Sequence, residues 1–270
     1  MKLLNRLMAV VVCATFVTAC TAPPRAKYDS AQMGAIKTIA VAAPNKTNYF
    51  AVSAGTNGVM LVGPGILVAA VTGAISGAIS AASHRTNPTF NDLVTEKLGD
   101  TGLNRKFVDA VEAELRAAGY DVKEVDLTQE DMPKVVLKNR VMALEGKSYA
   151  GADAIMLVQN LNGYFAPGSL SWYTRDVKVN IEMFKADTFE PIFKDRLNFN
   201  SGNADPYHYT TFSALKEDLP HAIQGVDEAV MGLVPHFKSD LLAARGVSAA
   251  TEQTAQAVKT SETAKTAKTD

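Results

Sequence analysis

Between Asp176 and Phe199 the side chains alternate so regularly that they dictate how this part of the chain must fold. Val177, Val179, Ile181 and Met183 fall on one side of an extended segment, and Lys178, Asn180 and Glu182 on the other. Successive side chains of a strand point to opposite faces, so a period of two with one apolar set calls for a sheet with one face on a core. Asp187-Thr188 supplies a turn, after which Phe193, Leu197 and Phe199 again share a face. The two segments read as an antiparallel hairpin, half buried.

Other elements arrange themselves around this hairpin. Ile36 to Ala43 and Ala154 to Leu161 are apolar runs short enough for buried strands, the second a central one, and Tyr120 to Val125 is a further short strand. Asn45 to Gly58 is polar and turn-rich. Asn87-Pro88 opens a helix carrying Phe90, Val94 and Leu98, and a second helix buries Phe107, Val108, Val111 and Leu115 before stopping at Gly119. Thr128 with Asp131 resembles a capping box, Pro133 fits a first turn, and Val136, Arg140 and Leu144 predict a helix running to Gly146. Ile223, Val226, Val230, Leu233, Phe237 and Leu241 mark the last helix, with Pro220 at its start and Pro235 at a kink. The order predicts an α/β (α+β) fold: a mixed β-sheet with helical crossovers, a late antiparallel hairpin and a closing C-terminal helix.

With 47% hydrophobic and 20% charged residues the chain can fill a core. A net charge of −1 gives no electrostatic footing for nucleic acid, and no cluster of Lys and Arg interleaved with aromatics stands in for one.

The N-terminal residues read as a lipoprotein export signal, the alternatives being an ordinary secretory signal or a short buried helix. Lys2 and Arg6 form a positive start, Leu7 to Val17 is apolar apart from Cys13 and Thr15 and too short to span a bilayer, and Val17-Thr18-Ala19-Cys20 ends in small residues before a cysteine. This last string resembles the bacterial lipobox, although Val17 replaces the commoner Leu. Cleavage before Cys20 would leave a cysteine acylated with palmitate-type chains, and two or more chains make a stable anchor. Thr21 follows, rather than an Asp, so the expected address is the periplasmic face of the outer membrane of a Gram-negative host. Cys13 leaves with the signal, so no disulfide within the mature chain is expected. The expected division is a signal peptide over 1–19, an anchor and tether over 20–34, a periplasmic domain over 35–246 with a Gly/Ala-rich insertion at 47–83, and a tail over 247–270. That tail contains no aromatic, Leu or Ile and is expected to be disordered.

From Thr47 to Ser83 there is no Asp, Glu, Lys or Arg. Ala69, Gly73, Gly77 and Ala81 recur every fourth residue, the spacing of a glycine zipper, and on a helix they would let another backbone approach closely. Gly63-Pro64-Gly65 interrupts the run; a helix from Ile66 to Ser83 would measure about 27 Å. Three readings stay open for it: a helix buried in the domain, a segment in or on a membrane, and a self-association face.

No catalytic constellation emerges. His84, His208, His221 and His236 have no metal-ligand spacing, and the only cysteine expected in the mature chain carries lipid. Gly168-Ser169-Leu170-Ser171 lacks the second glycine of a nucleophile elbow, and no phosphate-binding loop is present. The acidic pairs Asp92/Glu96, Glu112/Glu114 and Glu130/Asp131 read as solvated helix faces or helix starts. Tyr207-His208-Tyr209 lies in a polar loop and could meet a partner through its rings, although a plain surface loop is the simpler reading. The chain is therefore expected to be no enzyme and to need no cofactor and no metal.

Cys20, the early strand, Gly151-Ala152-Asp153-Ala154-Ile155 opening a buried strand, and the hairpin turn Ala186-Asp187-Thr188-Phe189-Glu190 together resemble a group of outer-membrane lipoproteins. The group includes the curli secretion channel lipoprotein and the lipoprotein activators of penicillin-binding proteins. Phe189 stands where such turns usually carry Gly. The resemblance implies an anticodon-binding-like α/β domain that assembles or regulates envelope machinery. The expected function is that of a membrane-anchored, non-enzymatic lipoprotein acting through self-association or an envelope protein partner. The other class expected is a periplasmic lipid- or small-molecule-binding module of a transport system.

Overall fold

The computed structural model describes residues 26–43, 46–53, 90–127, 130–138, 141–168, 170–202 and 205–246. In chain order the elements are β1 (Lys27–Tyr28), α1 (Ser30–Ala35), β2 (Thr38–Ala42), β3 (Tyr49–Ser53), α2 (Phe90–Leu98), α3 (Leu103–Ala117), β4 (Asp121–Val125), β5 (Lys134–Lys138) and β6 (Val141–Glu145). There follow β7 (Ala154–Ala166), β8 (Thr174–Lys185), β9 (Pro191–Asn200), α4 (Phe212–Glu217), α5 (Leu219–Met231) and α6 (Val234–Ala244).

The alternating hairpin is β8–β9, and with β7 it makes an antiparallel meander. A seven-stranded mixed sheet grows from it in the order β1-β9-β8-β7-β2-β4. β2 runs parallel to both β4 and β7, pairing Ile39 with Val122 on one side and Ala154 on the other. β3 also lies parallel to β7, at its far half, where Phe50 faces Gly163. β2 and β3 thus lie one after the other along the same side of β7, β2 also carrying β4 on its other side. The α/β class, the mixed sheet, the late hairpin and the closing helix all stand as the sequence predicts.

One face of the sheet is covered by helices. Val177, Val179, Ile181 and Met183 of β8 join Phe107, Val111 and Leu115 of α3, Val226 and Val230 of α5, and Phe237 and Leu241 of α6 in one core. The opposite face, at the start of β7, is covered by β5–β6: Met132 and Leu144 pack with Ile155, Leu157, Phe184 and Ala186.

Several expectations are corrected. The helix expected over Val136, Arg140 and Leu144 is the antiparallel hairpin β5–β6, in which Val136 faces Ala143 and Val135 faces Leu144. Val136 and Leu144 lie on different strands and on opposite faces of this hairpin, so their spacing carries no helical period. The last helix is two: α5 ends at Met231, the Gly232–Leu233 turn intervenes, and Pro235 sits in the first turn of α6 rather than at a kink. The turn-rich stretch from Asn45 holds β3, whose Tyr49 and Phe50 are buried. Within the stretch read as tether, Ala26 is buried, β1 pairs with β9, and α1 buries Met33 completely beneath an Asp29 cap. Glu112, read as a solvated residue, is buried and reaches out to Arg116 one turn on, at 2.7 Å. Cys20, the Ala69, Gly73, Gly77 and Ala81 stripe, the Asn87-Pro88 helix start and the 247–270 tail lie outside the described residues.

Candidate functional site

The connection from β7 to β8 forms the tip of one end of the sheet. Leu170 is 98% exposed there and Trp172 is 38% exposed. The Trp172 indole is not loose: it stacks on the His208 imidazole with ring centres 4.6 Å apart and planes 13° from parallel. Tyr173 and Tyr209 exchange backbone hydrogen bonds of 2.8 and 3.0 Å, which brings the 205–211 loop against the tip. The Ser53 hydroxyl, at the end of β3, donates to the Gly168 carbonyl at 3.4 Å.

Arg175 holds this end together from inside. Near the start of β8, on the helix-covered face, its guanidinium donates to the Asp205 carboxylate through Nε at 3.1 Å and Nη2 at 2.5 Å, and to the Gly225 carbonyl of α5 at 2.7 Å. It also lies 4.8 Å from the Phe199 ring centre and 4.5 Å from that of Tyr207. A planar, weakly hydrated cation can be buried between rings in this way where an ammonium could not. Burial pushes the Asp205 carboxyl up, but the Arg175 hydrogen bond and charge and the Tyr207 N–H outweigh it and hold it below the usual carboxylate range. Tyr207 donates to Glu228 at 2.8 Å and packs over Gly225, where any β-carbon would strike its ring. Tyr209 donates to Asp218 at 3.0 Å and meets the Tyr164 ring edge-on. Tyr207-His208-Tyr209 is therefore a structural clamp as well as a surface loop: the tyrosines are buried and only His208 reaches the tip.

Beneath the tip the core is aromatic. Tyr164 donates to the Ala222 carbonyl at 2.9 Å, its hydroxyl pushed well above the usual tyrosine range by burial. Phe90, the first described residue of α2, packs on Tyr164 and Phe212, and Phe212 on Tyr173.

A second feature lies between β2 and β3. Asn104, near the N-terminus of α3, donates to the Lys46 carbonyl at 2.7 Å and takes a weak bond from Asn162 at 3.4 Å. Its N–H donates to the Thr47 hydroxyl at 3.0 Å. Among the described residues, neighbouring Asn160, only 9% exposed, finds no hydrogen-bond partner for either side-chain polar atom, and Asn162 finds none for its carbonyl oxygen. Buried amides in this condition are uncommon and call for an explanation.

At the opposite end, Asp153 of the Gly151-Ala152-Asp153 string ties β7 to β2. Its carboxylate accepts the N–H groups of Thr38 at 2.8 Å and Lys37 at 2.9 Å, which hold its pKa below the usual range. The nearby β8–β9 turn places Phe189 at φ 58°, the left-handed conformation that suits Gly.

Among the described residues no group of three or more His, Cys, Asp or Glu side chains could hold a metal ion, and no helix is long and apolar enough to cross a membrane. His221 packs against Tyr207 and lies 2.9 Å from Asp218, on the flank of the clamp. The sequence singled out none of Leu170, Trp172, Arg175, Asn160 or Asn162 as a site. The signals were present: Leu and the lone Trp in a hairpin loop, Arg175 in register with the apolar set of β8, and Asn160 and Asn162 at the end of an apolar run.

No protein-family model matches the chain, and no curated protein matches it in sequence. Among solved structures the chain is similar to the crystal structure of lipoprotein GNA1162 from Neisseria meningitidis, at 10% identity, covering 70% of this chain and 94% of that one, with a TM-score of 0.16. A TM-score of that size establishes no shared fold, and the functional reading rests on this chain's own residues. Those residues assemble a rigid, aromatic-backed tip and a buried amide cluster.

Proposed function

We propose that this chain is a non-enzymatic, membrane-anchored lipoprotein, held at the periplasmic face of the outer membrane by acylated Cys20, that helps assemble or regulate a cell-envelope complex as an oligomer. The observation that carries this reading is how closely the lipobox cysteine precedes the fold. Ala26 is already buried in the core, so the chain from Cys20 spans at most about 20 Å before it is fixed to the sheet. A domain tied so closely to a bilayer meets its partners at the membrane surface, where confinement raises their effective concentration. The exposed tip is suited to such contacts, and on a helix the small residues Ala69, Gly73, Gly77 and Ala81 would offer a second face for them.

Metabolic labelling with a fatty-acid analogue tests the anchor. Wild type should label and Cys20→Ser should not; equal labelling of both removes the anchor. In-cell crosslinking and oligomer mass test the assembly role. Gly77→Leu should dissociate the oligomer while the monomer stays folded, and a strict monomer with no envelope neighbour counts against it.

The Asn160 amide and the Asn162 carbonyl oxygen, without hydrogen-bond partners among the described residues, favour a second reading, a small-molecule-binding module. Native mass spectrometry should then show a co-purified molecule that Asn160→Leu loses.

A further inference from the structure

Three separate features of the fold point to the same end of the sheet. The first is the tip itself, where Leu170 is 98% exposed and Trp172 is pinned by its stack on His208. The stack sets the indole against the His208 ring with part of its surface exposed.

The second is where the described chain stops and resumes on either side of the uncharged stretch. β3 ends at Ser53, which is paired with Ala166 and hydrogen-bonded to Gly168 at the tip. The described chain resumes at Phe90, whose ring packs on Tyr164 and Phe212 below the tip. Between these points the sequence carries no Asp, Glu, Lys or Arg as far as Ser83, and His84-Arg85 comes only just before the return.

The third is the direction of the N-terminal chain. β1 is antiparallel to β9, with Lys27 opposite Lys194 and Tyr28 opposite Phe193. Followed backwards from Tyr28, the chain therefore runs towards higher β9 numbers, the end where Asn200 lies beside Asp176. From Lys194 to Asn200 a strand covers about 20 Å, and the chain from Ala26 back to Cys20 can cover about the same distance. The lipid-bearing residue is thus within reach of the tip end, and the chain heads towards it.

We infer that the β7–β8 end is the membrane-proximal end of the protein, and that Leu170 and Trp172 dip into the phospholipid headgroup and acyl boundary beside the anchor. Trp is favoured at this boundary because its ring is apolar and its N–H is polar, and Leu contributes the apolar insertion. The Asp153 end, with the Ala186–Glu190 turn, then faces away from the bilayer. This deepens the anchored reading above, since it says which end the anchor draws down.

Trp172 is the sole tryptophan of the chain, so its fluorescence reports the tip alone. The full mature protein is mixed with saturating vesicles of phosphatidylethanolamine and phosphatidylglycerol, and flotation and fatty-acid labelling are followed on the same samples. Trp172 emission should move to shorter wavelength and be quenched by lipids brominated near the headgroup. Leu170→Asp, a change at a fully exposed position, should keep the protein floating while the emission returns to its aqueous wavelength. Wild type that floats with unchanged emission overturns the tip contact and leaves the anchor standing. Protein that neither labels nor floats and shows no shift overturns both. A Cys20→Ser chain that still shifts, at higher lipid, supports the tip and removes Cys20 as its requirement. A shift without vesicles that grows with protein concentration assigns the tip to a second copy and overturns the lipid contact.

Discussion

Asp153 and Thr38 grip each other from both sides: the Thr38 N–H donates to the Asp153 carboxylate at 2.8 Å while the Asp153 N–H donates to the Thr38 carbonyl at 3.0 Å. The carboxylate does for the start of β2 what a cap does for a helix. Asp153→Ala should lower stability by about 1 kcal/mol, the loss of a side-chain cap. Because the folded carboxyl titrates below its ordinary value, this contribution is complete above the unfolded pKa of about 4. It disappears as pH falls through the lower folded value. Urea midpoints of wild type and Asp153→Ala should therefore differ at pH 7 and converge in strong acid.

Arg175 and Asp205 are 10% and 8% exposed, so removing one partner leaves the other charged and buried. Asp205→Ala should cost about 3–5 kcal/mol. Arg175→Lys should also fail to restore stability, because an ammonium cannot make the Asp205 and Gly225 bonds together or lie flat between Phe199 and Tyr207. Thermal unfolding separates these outcomes. A fall below 1 kcal/mol for Asp205→Ala would mean that water reaches the guanidinium.

Gly163 faces Phe50 across the β3–β7 ladder, and a β-carbon there would collide with the Phe50 carbonyl. The obstacle is backbone, which cannot swing aside as a long side chain can. Gly163→Ala should destabilise by about 1–3 kcal/mol. Hydrogen exchange should show the loss concentrated in β3, with β8–β9 still protected.

Phe189 holds a left-handed conformation and also packs on the Met132 and Leu144 cluster, two effects of opposite sign. Comparing Phe189→Ala with Phe189→Gly removes the packing from both and leaves the backbone. The Gly variant should be the more stable by about 1 kcal/mol, allowing for its greater unfolded freedom. Equal midpoints would mean that the turn relaxes when the ring is gone.

The fold was legible wherever one periodicity dominated. The β8–β9 alternation and the 107–115 helix announce themselves because each places one apolar face on one core. The apolar run that reads as a strand stops at Leu161, yet β7 continues to Ala166, with Gln159, Asn160 and Asn162 all buried in it. Both faces of that strand are covered, so its sequence loses the alternation of a half-exposed one. β3 was hidden for a different reason: its partner lies more than a hundred residues away and nothing local marks it. The tip was visible only as an oddity, a Leu and a Trp in a turn, and its rigidity depends on His208, which arrives from a distant loop.

The division of the sheet also sets the order in which it can form. β7, β8 and β9 are joined by short turns, so their antiparallel ladders close over small loops. β2 and β3 reach β7 only after the whole of α2, α3, β4, β5 and β6 has been bridged. Pairings of such long sequence separation carry the larger closure entropy and slow folding. The meander is therefore expected to form first with one side of β7 bare, and refolding to wait on the arrival of β2 and β3. Refolding yield should accordingly fall as protein concentration rises, because an unpaired strand edge is a template for a strand from another chain.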